Sequence, residues 1–151
     1  MEIDERVEPL VRKALNAAVK RDTDRLDAAL KAFPDVEARQ KGLELAMMIA
    51  IAALYDSYGG KPSLEQVGQV ANLLSETEEW SGITAEDAFK YLRTVLAGES
   101  IAEAFDHEVA VPWTFVVTAA LLSSSEQKRE GEFWFNYLDR ILMQLETAPS
   151  K

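Results

Sequence analysis

A chain of 151 residues, 48% of them hydrophobic, is long enough to bury one core without metal or disulfide staples. It contains no cysteine, which excludes a disulfide framework, a thiolate zinc site, an iron–sulfur cluster and a cysteine nucleophile. The formal net charge is −10 and the excess is local, because residues 76–110 hold 9 acidic and 2 basic side chains while residues 1–41 hold 9 of each.

Apolar residues at 3, 7, 10, 11, 14, 15 and 18 repeat at three and four, the spacing of an amphipathic helix. Pro9 is tolerable only in a first turn, so this helix starts near Val7 or Glu8. Thr23 or Asp22 can cap a second helix with the stripe Leu26, Ala29, Leu30, Phe33, ended by Pro34. The third helix is predicted from Asp35 to Tyr58. It is polar at first, then apolar on every face from Leu45 to Tyr55, and a helix apolar all round must be surrounded. Gly59-Gly60-Lys61-Pro62 stops it.

Ser63 and Gln66 have capping-box spacing before the stripe Leu64, Val67, Val70, Ala71, Leu74. Thr84 before Asp87 repeats the start signal, Ala88, Phe89, Leu92, Val95 and Leu96 follow, and Gly98 ends the fifth helix. A short helix over Ser100 to about Glu108 comes next. Pro112 suits the first turn of a seventh helix whose body, Trp113 to Leu122, carries no charge; its β-branched and aromatic residues make a strand the competing reading over 109–122. Residues 123–131 read as a connector, and a last helix runs from about Glu132 to Glu146. The expectation is an all-α fold in which residues 1–151 form a single-domain bundle of about seven to eight helices around a buried central helix, about 43–58.

The residues that bear on chemistry are few. His107 is the only histidine, and on a continuous helix Glu99, Glu103, Asp106 and His107 would share one face with oxygen and nitrogen donors for a divalent metal. A solvated acidic face explains the same pattern, and a di-iron bundle would need two Glu-x-x-His pairs where this chain has one histidine. No serine lies in a Gly-x-Ser-x-Gly elbow, and no phosphate-binding glycine loop or dinucleotide fingerprint occurs. The pattern points away from an enzyme and calls for no cofactor.

The aromatic residues pose a geometric question. Phe133, Trp134, Phe135 and Tyr137 fall within five positions, and a helix turns about 100° per residue, so their rings cannot all face one core. Either the buried face is wide, or one stripe meets a dimer mate, a partner or a pocket wall. Trp80 sits in the polar stretch Glu76 to Gly82, where it either plugs the bundle end or, beside Glu78 and Glu79, forms an anchor for a basic partner.

The functional expectation is a non-catalytic protein–protein interaction module, a homodimer, docking a protein partner through its aromatic surface or the acidic face over 76–108. An acidic inhibitor or DNA mimic of a basic partner is one alternative. A helical small-molecule-binding protein with a cavity walled by Met47, Met48, Trp113 and Trp134 is another. No nucleic-acid partner is expected, since the basic set Arg12, Lys13, Lys20, Arg21, Arg25 is interleaved with Asp22, Asp24 and Asp27. No membrane partner is expected either: the longest nearly apolar run, Leu45 to Tyr55, falls well short of the about 20 residues a bilayer needs. Met1 to Arg6 lack a signal-peptide pattern, which predicts a cytoplasmic chain.

Overall fold

The computed structural model describes residues 2–147. Among them are eight α-helices and no strand: α1 Glu8–Val19, α2 Thr23–Lys31, α3 Val36–Tyr58, α4 Leu64–Thr77, α5 Ala85–Leu96, α6 Ile101–Ala104, α7 His107–Ser124 and α8 Trp134–Thr147, with a 3-10 turn at Glu79–Ser81. The starts are set by side chains that take up otherwise unpaired first-turn N–H groups. Asp22 accepts from the Arg25 N–H at 3.1 Å, Asp35 from Ala38 at 2.8 Å and Thr84 from Asp87 at 3.1 Å. Ser63 and Gln66 close a full capping box.

Two apolar layers meet on α3 and α7. In the first, Val11, Leu15 and Ala18 of α1, Leu26 of α2, and Leu138, Ile141 and Leu145 of α8 pack around Leu45, Ile49 and Ala53 of α3 and Phe115, Val116 and Leu122 of α7. In the second, Val67, Val70 and Leu74 of α4 and Ala88, Tyr91, Leu92 and Val95 of α5 pack on Leu54 of α3 and Val117 and Ala120 of α7. The expected central helix is thus one of a pair, with one edge open: Met48 and Tyr55 of α3 are each 39% exposed, whereas every residue of α7 from Thr114 to Ala120 is buried.

The stretch 109–122 is helical despite its β-branched residues. Enclosure on all sides leaves its backbone no strand to pair with, so its hydrogen bonds must close within the segment. The threonines that α7 buries are satisfied locally. Thr114 donates to the Ala110 carbonyl at 2.8 Å and accepts from the Tyr91 hydroxyl at 2.6 Å. Thr118 lies 2.7 Å from the Thr114 carbonyl and 3.0 Å from the Ala46 carbonyl, tying α7 to α3.

Two expectations need correction in this region. Pro112 is not in a first turn, because α7 begins at His107 and places the proline inside the helix. The helix expected over 100–108 shrinks to Ile101–Ala104, since Phe105 turns extended. Its ring then lies 6.1 Å from that of Tyr91 and 5.8 Å, edge on, from Trp113.

Gly42 leaves α3 no room for a side chain against its neighbours. A Cβ there would stand 2.5 Å from Phe33 Cε1 and 3.4 Å from Val11 Cγ2, and Phe33 is itself held against Phe115. Overpacking a filled core costs about 1–3 kcal/mol, which outweighs the roughly 0.5–1 kcal/mol a helix gains from Gly to Ala. Gly42→Ala is therefore expected to lower the unfolding free energy by about 1 kcal/mol in urea titration. A more stable Gly42→Ala protein would show that Phe33 yields.

Candidate functional site

The last helix sorts its aromatic residues by position. Tyr137, Leu138, Ile141, Leu142 and Leu145 are buried, so the wide apolar face accounts for most of α8. Tyr137 therefore drops out of any surface: its hydroxyl donates to Asp56 Oδ2 on α3 at 2.7 Å, inside the helix pair. Trp134 is half-buried and packs on the first layer. Phe133 and Phe135 remain outside at 64% and 43% exposure. Phe133 precedes the helix proper; its N–H is taken by Asn136 Oδ1 at 2.9 Å and its carbonyl accepts from the Asn136 and Tyr137 N–H groups. Its ring stacks on Phe135 with centroids 5.5 Å apart and planes 15° off parallel, and Trp134 meets Phe135 edge on at 5.9 Å. The result is a knuckle of two rings open to solvent, buttressed by a third.

Sequence reasoning missed the clamp that holds this knuckle. Arg140 reaches back from α8 to both Glu132 oxygens, at 2.8 and 3.0 Å, and to the Gln127 carbonyl at 2.9 Å. Glu132 also accepts from the Arg129 N–H at 2.6 Å. The Arg140 guanidinium, helped by that N–H, holds the Glu132 carboxyl down to about 2. Whatever stability the pair supplies is present above the ordinary glutamate range and is lost only as pH falls towards 2. The separation of eight residues carries no helix-face signal, because Glu132 lies before the helix.

Trp80 plugs the end of the first layer, packed against it and half-buried. Its indole N–H donates to Glu78 Oε1 at 3.0 Å, and Glu78 Oε2 accepts from Arg21 at 3.2 Å. Glu78, expected on the surface, is only 4% exposed, because Trp80 of the same turn and Arg21 of the α1–α2 connector both donate to it and draw it inward. Of the acids proposed beside Trp80, Glu79 alone is exposed. Arg21 has φ +53°, left-handed backbone that a glycine adopts without strain. The bonds Arg21 N–H to Ala18 O and Asp22 N–H to Ala17 O close α1 around it.

The metal-face premise fails on geometry. The break at Phe105 distributes Glu99 to the turn after α5, Glu103 to α6, Asp106 to the cap of α7 and His107 to its first position. Among the described residues no group of three or more histidines and carboxylates is placed to hold a metal ion. The acids are nonetheless open: among the described residues, Glu76, Glu79, Glu86, Glu99, Glu103, Asp106 and Glu108 are exposed and enter no ion pair.

The proposed cavity walls also separate. Met47 and Trp113 pack on the second layer, Trp134 on the first, and Met48 faces out. A wide cleft of about 1240 Å³ lies elsewhere, between residues 2–7, Lys41, Glu44, Leu45 and Glu146. Asp4 lines it, and its carboxylate takes the Arg6 N–H at 2.9 Å and Lys41 at 3.4 Å. The Arg6 backbone and side chain hold that carboxyl below its ordinary value.

Compared with known proteins, the chain matches no family model, no curated protein and no solved structure.

Burial and the Asp56 hydrogen bond push the Tyr137 hydroxyl up to about 12. A folded pKa raised above the unfolded value near 10 means a contribution intact below pH 10 and lost as pH rises towards 12. Wild-type protein is therefore expected to lose stability more steeply over that window than Tyr137→Phe, read by denaturant titration at stepped pH. Parallel curves would show that the hydroxyl ionises freely in the native state.

Proposed function

We propose that this chain is a non-catalytic interaction module that docks a protein partner, and a second copy of itself, through the aromatic knuckle at the start of α8. The observation that supports this most is the stacked Phe133–Phe135 pair. Among the described residues 38 apolar side chains are buried, yet two phenylalanine rings are left stacked in water, beside a tryptophan, on a support clamped by Arg140. Contiguous exposed aromatic surface carries a free-energy cost that association removes, and aromatic residues are enriched where interfaces bind most strongly.

The polar groups support docking over chemistry. Among the described residues no buried side-chain nitrogen or oxygen lacks a hydrogen-bond partner. The inward-facing Glu78, Tyr91, Thr114, Thr118 and Tyr137 spend their hydrogen bonds on each other and on the fold. The strongest basic residues near the first helices are likewise committed, Arg12 to Asp139, Arg21 to Glu78 and Arg25 to Asp22, which weighs against a phosphate-binding face. No helix of the described residues is long and apolar enough to cross a membrane, and a cytoplasmic location belongs to the same reading.

The unpaired acids of residues 76–108 favour a second reading, an acidic inhibitor or nucleic-acid mimic of a basic partner. The two readings differ in salt dependence, since screening shortens to about 3 Å at 1 M salt and removes charge-driven binding while leaving apolar docking.

Replacing both rings, Phe133→Ser with Phe135→Ser, is expected to leave the unfolding free energy within about 0.5 kcal/mol, as exposed positions do. It is also expected to abolish self-association in sedimentation equilibrium. Wild-type protein that stays monomeric to millimolar concentration would remove self-docking from the reading. Salt-sensitive binding of a basic partner by the double variant would move the function to the acidic face.

A further inference from the structure

The second apolar layer is attached differently from the first. Contact between α4 and α5 is the most extensive between any two of the described helices, yet each touches α3 or α7 only sparsely. What α3 and α7 bury beneath them is Leu54, Val117 and Ala120, with Met47, Ile51 and Trp113 half-buried around the edge. Among the described residues, three polar ties cross from this hairpin to the rest of the fold. Tyr91 reaches Thr114 at 2.6 Å, Lys90 reaches the Ala104 carbonyl at 3.0 Å, and Arg21 reaches the turn after α4.

The Arg21 tie is the polar contact that joins the two layers directly, next to Trp80, which packs against the first layer from the 3-10 turn and must leave it on opening. From the α1–α2 connector its guanidinium donates to the Thr77 carbonyl at 3.1 Å and to Glu78 at 3.2 Å, and Glu78 in turn holds Trp80. The residue occupies a left-handed backbone position at which a glycine would be unstrained and would cap α1 equally well. A local rule broken at a helix end is consistent with a side chain needed elsewhere. We propose that α4, the 3-10 turn and α5 open from the α3–α7 pair as one unit, and that the Arg21 guanidinium is the latch holding them closed. Opening uncovers the apolar side of the pair, Met47, Ile51, Leu54, Trp113, Val117 and Ala120, a surface separate from the knuckle on α8.

Hydrogen exchange followed by mass spectrometry on the full chain tests both parts. In wild-type protein the slowest amides of α4 and α5 should exchange faster than those of residues 114–122 in α7, which marks opening short of global unfolding. Arg21→Ala should raise exchange across residues 64–96 by about tenfold or more, the scale of a lost charged hydrogen bond, and leave α7 and α8 unchanged. Arg21→Gly separates the latch from the backbone, since it relieves the left-handed strain but also removes the guanidinium. It should show the same rise confined to the hairpin. Equal slowest rates for α5 and α7 in wild-type protein would overturn the opening unit. Arg21 variants that raise exchange evenly along the chain, or that leave residues 64–96 unchanged, would overturn the latch.

Discussion

The close pairing of α3 with α7 is the contact on which both apolar layers rest, because each helix lends one side to each layer. Small residues let the two backbones approach: Ala46, Ala50 and Ala53 on one and Ala119 and Ala120 on the other are buried. The Thr118 hydroxyl then reaches the Ala46 carbonyl across the gap. Carbonyls inside a helix already accept one bond, so this contact adds a cross-link without unpairing the ladder. Everything else leans on that seam. The helices α1, α2 and α8 cover one flank, and the α4–α5 hairpin covers the other.

This arrangement explains why the surface looks as it does. Once α8 has given Tyr137, Leu138, Ile141, Leu142 and Leu145 to the first layer, its rotation leaves Phe135 facing outward, and Phe133, ahead of the first turn, has no layer to enter. The acids of residues 76–108 gather where α4, α5 and α7 begin or end. Some sit in first turns, as Glu86, Asp87 and Glu108 do, where the positive end of the helix dipole favours them. Others, such as Glu76 and Glu99, have no such explanation and simply add to the negative field that any partner of this end must meet.

Much of the fold was legible because the signals are local. Caps at Asp22, Ser63 and Thr84 place helix starts to within a residue, since one side chain and one N–H three positions on suffice to write them. The stripes of α1, α4 and α5 name most of their buried residues for the same reason, but Leu64, read into the α4 stripe, is 65% exposed because it opens the helix ahead of the layer. Around residues 100–112 local reading failed. The break at Phe105 is decided by where its ring is received, between Tyr91 and Trp113, and α7 accepts Pro112 in its interior because enclosure stabilises the helix on both sides of it. The metal-ligating face disappeared with that break.

The sequence by itself determined that this chain is helical, where most of its helices start, and which side chains had to leave water, because capping and amphipathic spacing act over three or four residues. The tertiary structure alone decided which polar and aromatic groups stay outside. Glu78 and Glu79 are adjacent in an acidic stretch, yet Arg21, 57 residues from Glu78, draws that one carboxylate inward and leaves the other exposed. Phe133 and Phe135 flank a residue that is half-buried, and only the angle at which α8 lies on α3 and α7 leaves their rings to solvent. Burial of a given ring or charge depends on partners far along the chain, and no window of sequence contains them.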